Sequence, residues 1–243
     1  MKKFELTTES ITFLGRTLFR IKALISFGSV KEGELGGYIE KEENLSHEGN
    51  AWVYGDAWVY GNAKVCDNAW VCGDAKVYGN AEVCDNAWVY GDAKVCGDAE
   101  VCGDARVYGN AKVCDNAKVC GDAKVYGNAK VCGDAKVYGN AEVCDNAWVY
   151  GDARVYGDAE VCGNAEVYGD DDIATISGFG REYRTTTFFR TNDNDIFVKC
   201  GCFFGTLDEF RKKVKETHGD NKYAKEYLMI ADLMETHFRG EEK

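Results

Sequence analysis

With 243 residues, a hydrophobic content of 45% and a net charge of −12, the chain can build one large core plus small terminal modules and is too apolar for a disordered tail. No apolar run is long enough to span a membrane and no charged-then-apolar leader opens the chain, so the expectation is a soluble, cytoplasmic protein. About −11 of the charge falls in residues 50–172, which argues against DNA or RNA binding, because phosphate contact needs a basic surface.

The elements in chain order begin with residues 1–49. Ile11-Thr12-Phe13-Leu14 and Thr17-Leu18-Phe19-Arg20-Ile21, separated by Gly15-Arg16, predict a β-hairpin. Glycines at 33, 36 and 37 then predict a turn and a short strand through Tyr38-Ile39. This segment is expected to cap the open edge of the repeat region that begins at residue 50.

Residues 50–173 repeat a hexad, Gly-(Asn/Asp)-Ala-x-Val-(Tyr/Cys). Val53 to Val167 are twenty valines in phase, followed by Ile173. A period of six fits neither one strand nor a 3.6-residue helix; it fits short strands separated by tight corners. Valine packs on a pleated surface. Gly followed by Asn or Asp tolerates positive φ and makes the corner, and alanine is small enough to sit inside beside it. Three hexads closing into a triangular coil place three valines inside each turn. Stacked coils then bury a continuous column.

The pattern Val53-Tyr54-Gly55-Asp56-Ala57-Trp58, repeated, resembles the hexapeptide repeat of left-handed parallel β-helix proteins. The resemblance implies a three-sided, left-handed, mainly β solenoid of about seven 18-residue coils spaced ~4.8 Å apart, roughly 30 Å long. Thr17 to Ile21, Leu35 to Glu40 and Asn44-Leu45-Ser46 resemble the start of uncharacterised hexapeptide-repeat proteins of phages and prophages. That resemblance implies a genomic context and supplies no activity.

Residues 174–243 leave the repeat. Thr185 to Arg190 and Asp195 to Lys199, flanking Thr191-Asn192-Asp193-Asn194, predict a second hairpin. Thr206-Leu207-Asp208-Glu209 has capping-box spacing and starts a helix to about Thr217. A second helix is expected from about Lys222 to Phe238, with Tyr223, Tyr227, Leu228, Ile230, Ala231 and Met234 on one face.

If residues 18 apart stack, the variable positions form columns. The residue before valine runs Trp52, Trp70, Trp88, Arg106, Lys124, Glu142, Glu160 on one face. It runs Trp58, Lys76, Lys94, Lys112, Lys130, Trp148, Glu166 on the second, and Lys64, Glu82, Glu100, Lys118, Lys136, Arg154, Asp172 on the third. Trp52, Trp70 and Trp88 are expected as an exposed indole ladder, with Asp56, Asp74 and Asp92 at the adjoining corner and Trp58 and Trp148 on the next face. Stacked exposed indoles mark binding surfaces.

Other chemistry finds less support. Many proteins of the resembled superfamily are acyltransferases, with a catalytic histidine on the solenoid and a loop interrupting the coils. Here His47, His218 and His237 all lie outside the in-phase hexads, and no loop interrupts them. Ten of the 12 cysteines occupy the tyrosine position of the repeat, so they are read as reduced thiols filling strand positions. The column Cys66, Cys84, Cys102, Cys120 could cross-link or take a soft metal, but one straight column makes no tetrahedral cage. No metal or cofactor is therefore expected.

The reading is a non-enzymatic scaffold that engages a protein partner through an acidic, aromatic solenoid surface. In a phage-like context the target would be a host or defence protein, met by nucleic-acid mimicry at one or two acidic edges. The alternatives are a self-assembling homo-oligomer, dimer or trimer, and a hexapeptide-repeat acyltransferase.

Overall fold

The computed structural model describes residues 2–191 and 195–239. Strands β1 (Phe4–Phe13) and β2 (Arg16–Ala23) form an antiparallel hairpin whose turn places Leu14 and Gly15 at positive φ. Strand β3 (Leu35–Ile39) pairs antiparallel with β2 and parallel with the solenoid strand Trp58–Val59. The cap thereby merges with one solenoid face. The hairpin is longer than the sequence suggests, because Phe4 anchors its start in the core.

Twenty two-residue strands, β4 (Trp52–Val53) to β23 (Glu166–Val167), follow at the hexad period. They sort into three parallel sheets, with every strand paired to the one 18 residues away: Trp70 opposes Trp52 and Trp88, and Lys94 opposes Lys76 and Lys112. Backbone groups bond from coil to coil, as in Trp70 N–H to Ala87 O and Cys72 N–H to Val89 O, both 2.9 Å. The result is a three-sided parallel β-helix, as the repeat predicts. All twenty repeat valines and the alanines between them are buried. Each valine contributes about 1.5–3 kcal/mol on burial, so the column is the main source of stability.

At the corners, positive φ falls on the first residue only, Gly55, Gly73 and Gly91 among them. Four corners carry aspartate there instead: Asp67, Asp85, Asp115 and Asp145. The second corner residue forms ladders, such as Asn110 Nδ2 to Asn128 Oδ1 at 3.1 Å and Asn128 to Asn146 at 3.0 Å.

Both ends of the core are plugged. At the N-terminal end Phe4 and Phe27 cover Trp52, and the Asn44 amide donates to Ala63 O at 2.8 Å. Asp172, placed by its spacing on the third face, lies in a 3-10 turn (Asp170–Asp172) that ends the coils. Beyond it, β24 (Ile173–Ile176), β25 (Thr186–Arg190), β26 (Ile196–Cys200) and β27 (Phe203–Thr206) form an antiparallel sheet. Residues 192–194 of the expected turn lie outside the described residues. Alternation along β25 sends Phe189 into the solenoid core and Phe188 toward the helices. Helix α1 (Leu207–His218) starts at the Thr206–Glu209 capping box, and α2 (Lys222–Arg239) packs Ala224, Tyr227, Ile230, Ala231, Met234 and Phe238. Tyr223 and Leu228 are only half-buried. Among the described residues no helix is long and apolar enough to cross a membrane.

Candidate functional site

The expected site residues divide between core and surface. Trp52 is not exposed: it is fully buried beneath Phe4 and Phe27, and its indole N–H has no partner. Its hexad position is that of Trp70, but it belongs to the first coil, where the cap sits. Trp70 and Trp88 do form the expected ladder. Their rings stack 5.1 Å apart at 8°, with Trp88 41% exposed. Tyr54 fits between Trp52 and Trp70, so the aromatic column is continuous from core to surface.

Asp56, Asp74 and Asp92 stack at the corner between this face and the next. None is at positive φ, so the backbone gives no reason for aspartate there. The same column continues as the asparagine ladder Asn110, Asn128, Asn146 and Asn164, whose amides bond to one another. Three carboxylates in register repel where amides would bond. Only Asp56 gains a cation, Arg20 of the cap at 3.7 Å; Asp74 and Asp92 have none among the described residues.

The aspartates line a groove of about 780 Å³ on the second face, together with Trp58 and the lysine row Lys76, Lys94, Lys112 and Lys130. The surface is thus of mixed charge, not uniformly acidic. Lys76 Nζ lies 3.9 Å from the Trp58 ring centre and Lys130 Nζ 4.0 Å from that of Trp148. Trp58 and Trp148 therefore bracket the row, each holding one lysine by a cation–π contact. Lys94 and Lys112 make no ion pair among the described residues. The edge offers flat apolar faces, a carboxylate row and a lysine row side by side.

The histidines are placed by the caps. His47 stacks on Phe4 at 4.3 Å and accepts from the Lys3 backbone N–H at 3.2 Å. His218 lies beside Tyr227 in the C-terminal module. There a second cavity of about 320 Å³ has an apolar floor of Phe203, Phe210 and Tyr227 and a rim of Arg181, Arg184 and Lys213. Sequence reasoning missed it, because its residues come together only through the unforeseen strand β27.

The cysteines are less uniform than expected. Cys144 and Cys162, on adjacent coils with Cα atoms 4.7 Å apart, are joined as a disulfide; the other ten are free. Burial pushes the Cys66 and Cys84 thiols up to about 12. Among the described residues, Cys66/Glu82/Cys84 and Cys114/Asp115/Cys132 bring together donors suited to a soft cation, and Cys144/Asp145/Cys162 repeats the arrangement with its two sulfurs joined.

Neither known protein-family models nor curated proteins match the chain.

Proposed function

We propose that the protein is a non-enzymatic scaffold that binds a protein partner along the edge between the first and second solenoid faces. The observation that carries this reading is the stacked Asp56, Asp74 and Asp92 row beside Trp70 and Trp88. These carboxylates have no backbone reason and cost the fold repulsion, while the neighbouring column positions hold self-bonding asparagines. Function accounts for that cost more simply than stability does. The partner would present basic side chains to the aspartates and an apolar or planar group to the indoles. The adjacent lysine row favours a protein of mixed charge over mimicry of nucleic acid. The phage-like resemblance of the N-terminal segment supports a host or defence protein as the target class.

The test is capture from nuclease-treated lysate of the native source. One protein, retained by wild type and lost with Trp70→Ala and with Asp74→Lys, supports the reading. Equal capture by wild type and both variants removes it.

A second reading, self-assembly through the helical module, is favoured by Met229 and Leu233 on α2, which are 72% and 57% exposed one turn apart. Mass in solution for wild type and Leu233→Glu separates the two. A concentration-dependent dimer or trimer lost in the variant supports self-assembly.

A further inference from the structure

The corners hold a pattern that neither the fold nor the binding edge uses. Every repeat tyrosine is followed by glycine, whereas four repeat cysteines are followed by aspartate, at 67, 85, 115 and 145. These four aspartates sit at φ of 57 to 60°, where glycine is at ease and an L side chain is strained. Each therefore has a cost. A partial return is visible: Asp115 Oδ2 accepts from Gly133 N–H at 3.2 Å, and Asp145 Oδ2 from Gly163 N–H at 3.1 Å. That bond would serve a corner beside tyrosine equally well. It does not explain why aspartate appears only next to a thiol.

What the thiol adds is a second and a third donor atom. In the second face Cys114 lies directly above Cys132, one coil apart, and Asp115 follows Cys114 into the corner. The Cys114 thiol is 3.6 Å from Asp115 Oδ2. The two sulfurs and the carboxylate all lie within 4.8 Å of one another. Cys114 is buried, Cys132 half-buried and Asp115 exposed, so the cluster is walled on two sides and open at the carboxylate.

We propose that Cys114, Asp115 and Cys132 form a binding site for a thiophilic divalent d10 cation of the zinc or cadmium class. Two thiolates and one carboxylate oxygen would bind it, with water in the fourth tetrahedral position. Metal–ligand bonds of about 2.0–2.3 Å require the donors to draw together by about half an ångström apiece, within the reach of side-chain rotation. Binding releases the two thiol protons to solvent and involves no redox change. Three anionic ligands leave the loaded site at −1, beside Lys112 and Lys130 of the same strands. The Gly133 N–H orients the carboxylate, as outer-shell donors do in metal sites. The corner Cys144/Asp145/Cys162 repeats the donor set with its sulfurs joined, and so offers no thiolates until reduced.

The experiment uses the full chain, reduced, with Cd2+ as probe. Sulfur-to-cadmium charge-transfer absorbance is read against a competing chelator, and Zn2+ stoichiometry is measured separately. Asp115→Gly installs the residue that neighbouring coils carry at that corner (Gly97, Gly133), so the fold is kept. Cys72→Ser is the control, since tyrosines 54 and 90 flank that thiol on its column. The proposal expects Cys132→Ser to lose one equivalent, Asp115→Gly to weaken that equivalent by more than about tenfold, and Cys72→Ser to bind as wild type. Wild-type binding by both Cys132→Ser and Asp115→Gly overturns it. So does a reduced protein that takes up neither ion.

Discussion

Phe4 of the cap meets Trp52 of the first coil edge-on, ring centroids 6.3 Å apart, and with Phe27 seals it from solvent. One coil later, the same hexad position puts Trp70 at the surface. The two tryptophans should therefore respond differently to substitution. Trp52→Phe keeps the edge contact and removes a buried N–H that has no partner. It should shift stability by less than about 1.5 kcal/mol and leave partner capture unchanged. Phe4→Ala opens the cap and should cost about 3–5 kcal/mol. Thermal unfolding followed by circular dichroism distinguishes them.

The corners give a second, sharper contrast. Gly97 is at φ +74°, and a Cβ there would come within 2.8 Å of the Asp115 backbone on the next coil. Gly157 is at φ +65° with nothing within 4 Å. Both alanine variants bear the left-handed strain of about 1–2 kcal/mol. Only Gly97→Ala must also push two coils apart, so its unfolding temperature should fall further than that of Gly157→Ala. An equal fall in both would mean that coil spacing yields freely.

Much of this was legible in the sequence, and the reasons for the rest are local. Val53 to Val167 and the intervening alanines gave the period, the three sides and the core, because each hexad position has one environment in every coil. Trp52 breaks that rule. Its hexad neighbours match those of Trp70, and only the distant Phe4 and Phe27 bury it. The corner pair Gly-Asp reads as two residues tolerant of positive φ, but the structure uses only the first, which changes what Asp56, Asp74 and Asp92 mean. Strand β24 was hidden because Ile173 continues the valine phase. Strand β27 was hidden behind Cys200-Gly201-Cys202, where Gly201 at positive φ turns the chain back so that Phe203 pairs with Cys200.

Alkaline pH should loosen the solenoid. Cys66 and Cys84 are raised from 9.0 to about 12, chiefly by burial. The folded state therefore keeps protons that the unfolded chain sheds. The stabilisation is complete below pH 9 and is lost as pH rises toward 12. Denaturant midpoints measured across this range should fall, and the fall should be shallower in the Cys66→Ser/Cys84→Ser double variant.

Lys3 acts in the opposite direction. Its ammonium is buried under the cap and donates to Ala51 O at 2.9 Å, and burial lowers it from 10.5 to about 8. Below pH 8 the fold bears the cost of a buried charge. Between 8 and 10.5 the unfolded chain binds more protons, so this group's contribution to stability rises with pH. Lys3→Met should remove that rise, seen as a steeper alkaline decline than wild type.

The central claim is that the partner sits on the Trp70–Asp74–Trp88 edge. A photo-crosslinking residue placed in turn at Cys72, Tyr90, Tyr138 and Tyr156 tests it most directly: the first two are half-buried on the face of Trp70 and Trp88 and leave both indoles in place, and the last two stack at 5.6 Å on the third face. Irradiation in native lysate should give one crosslinked protein from Cys72 and Tyr90 and none from Tyr138 and Tyr156. The same product from all four positions, or only from the third face, would contradict the account.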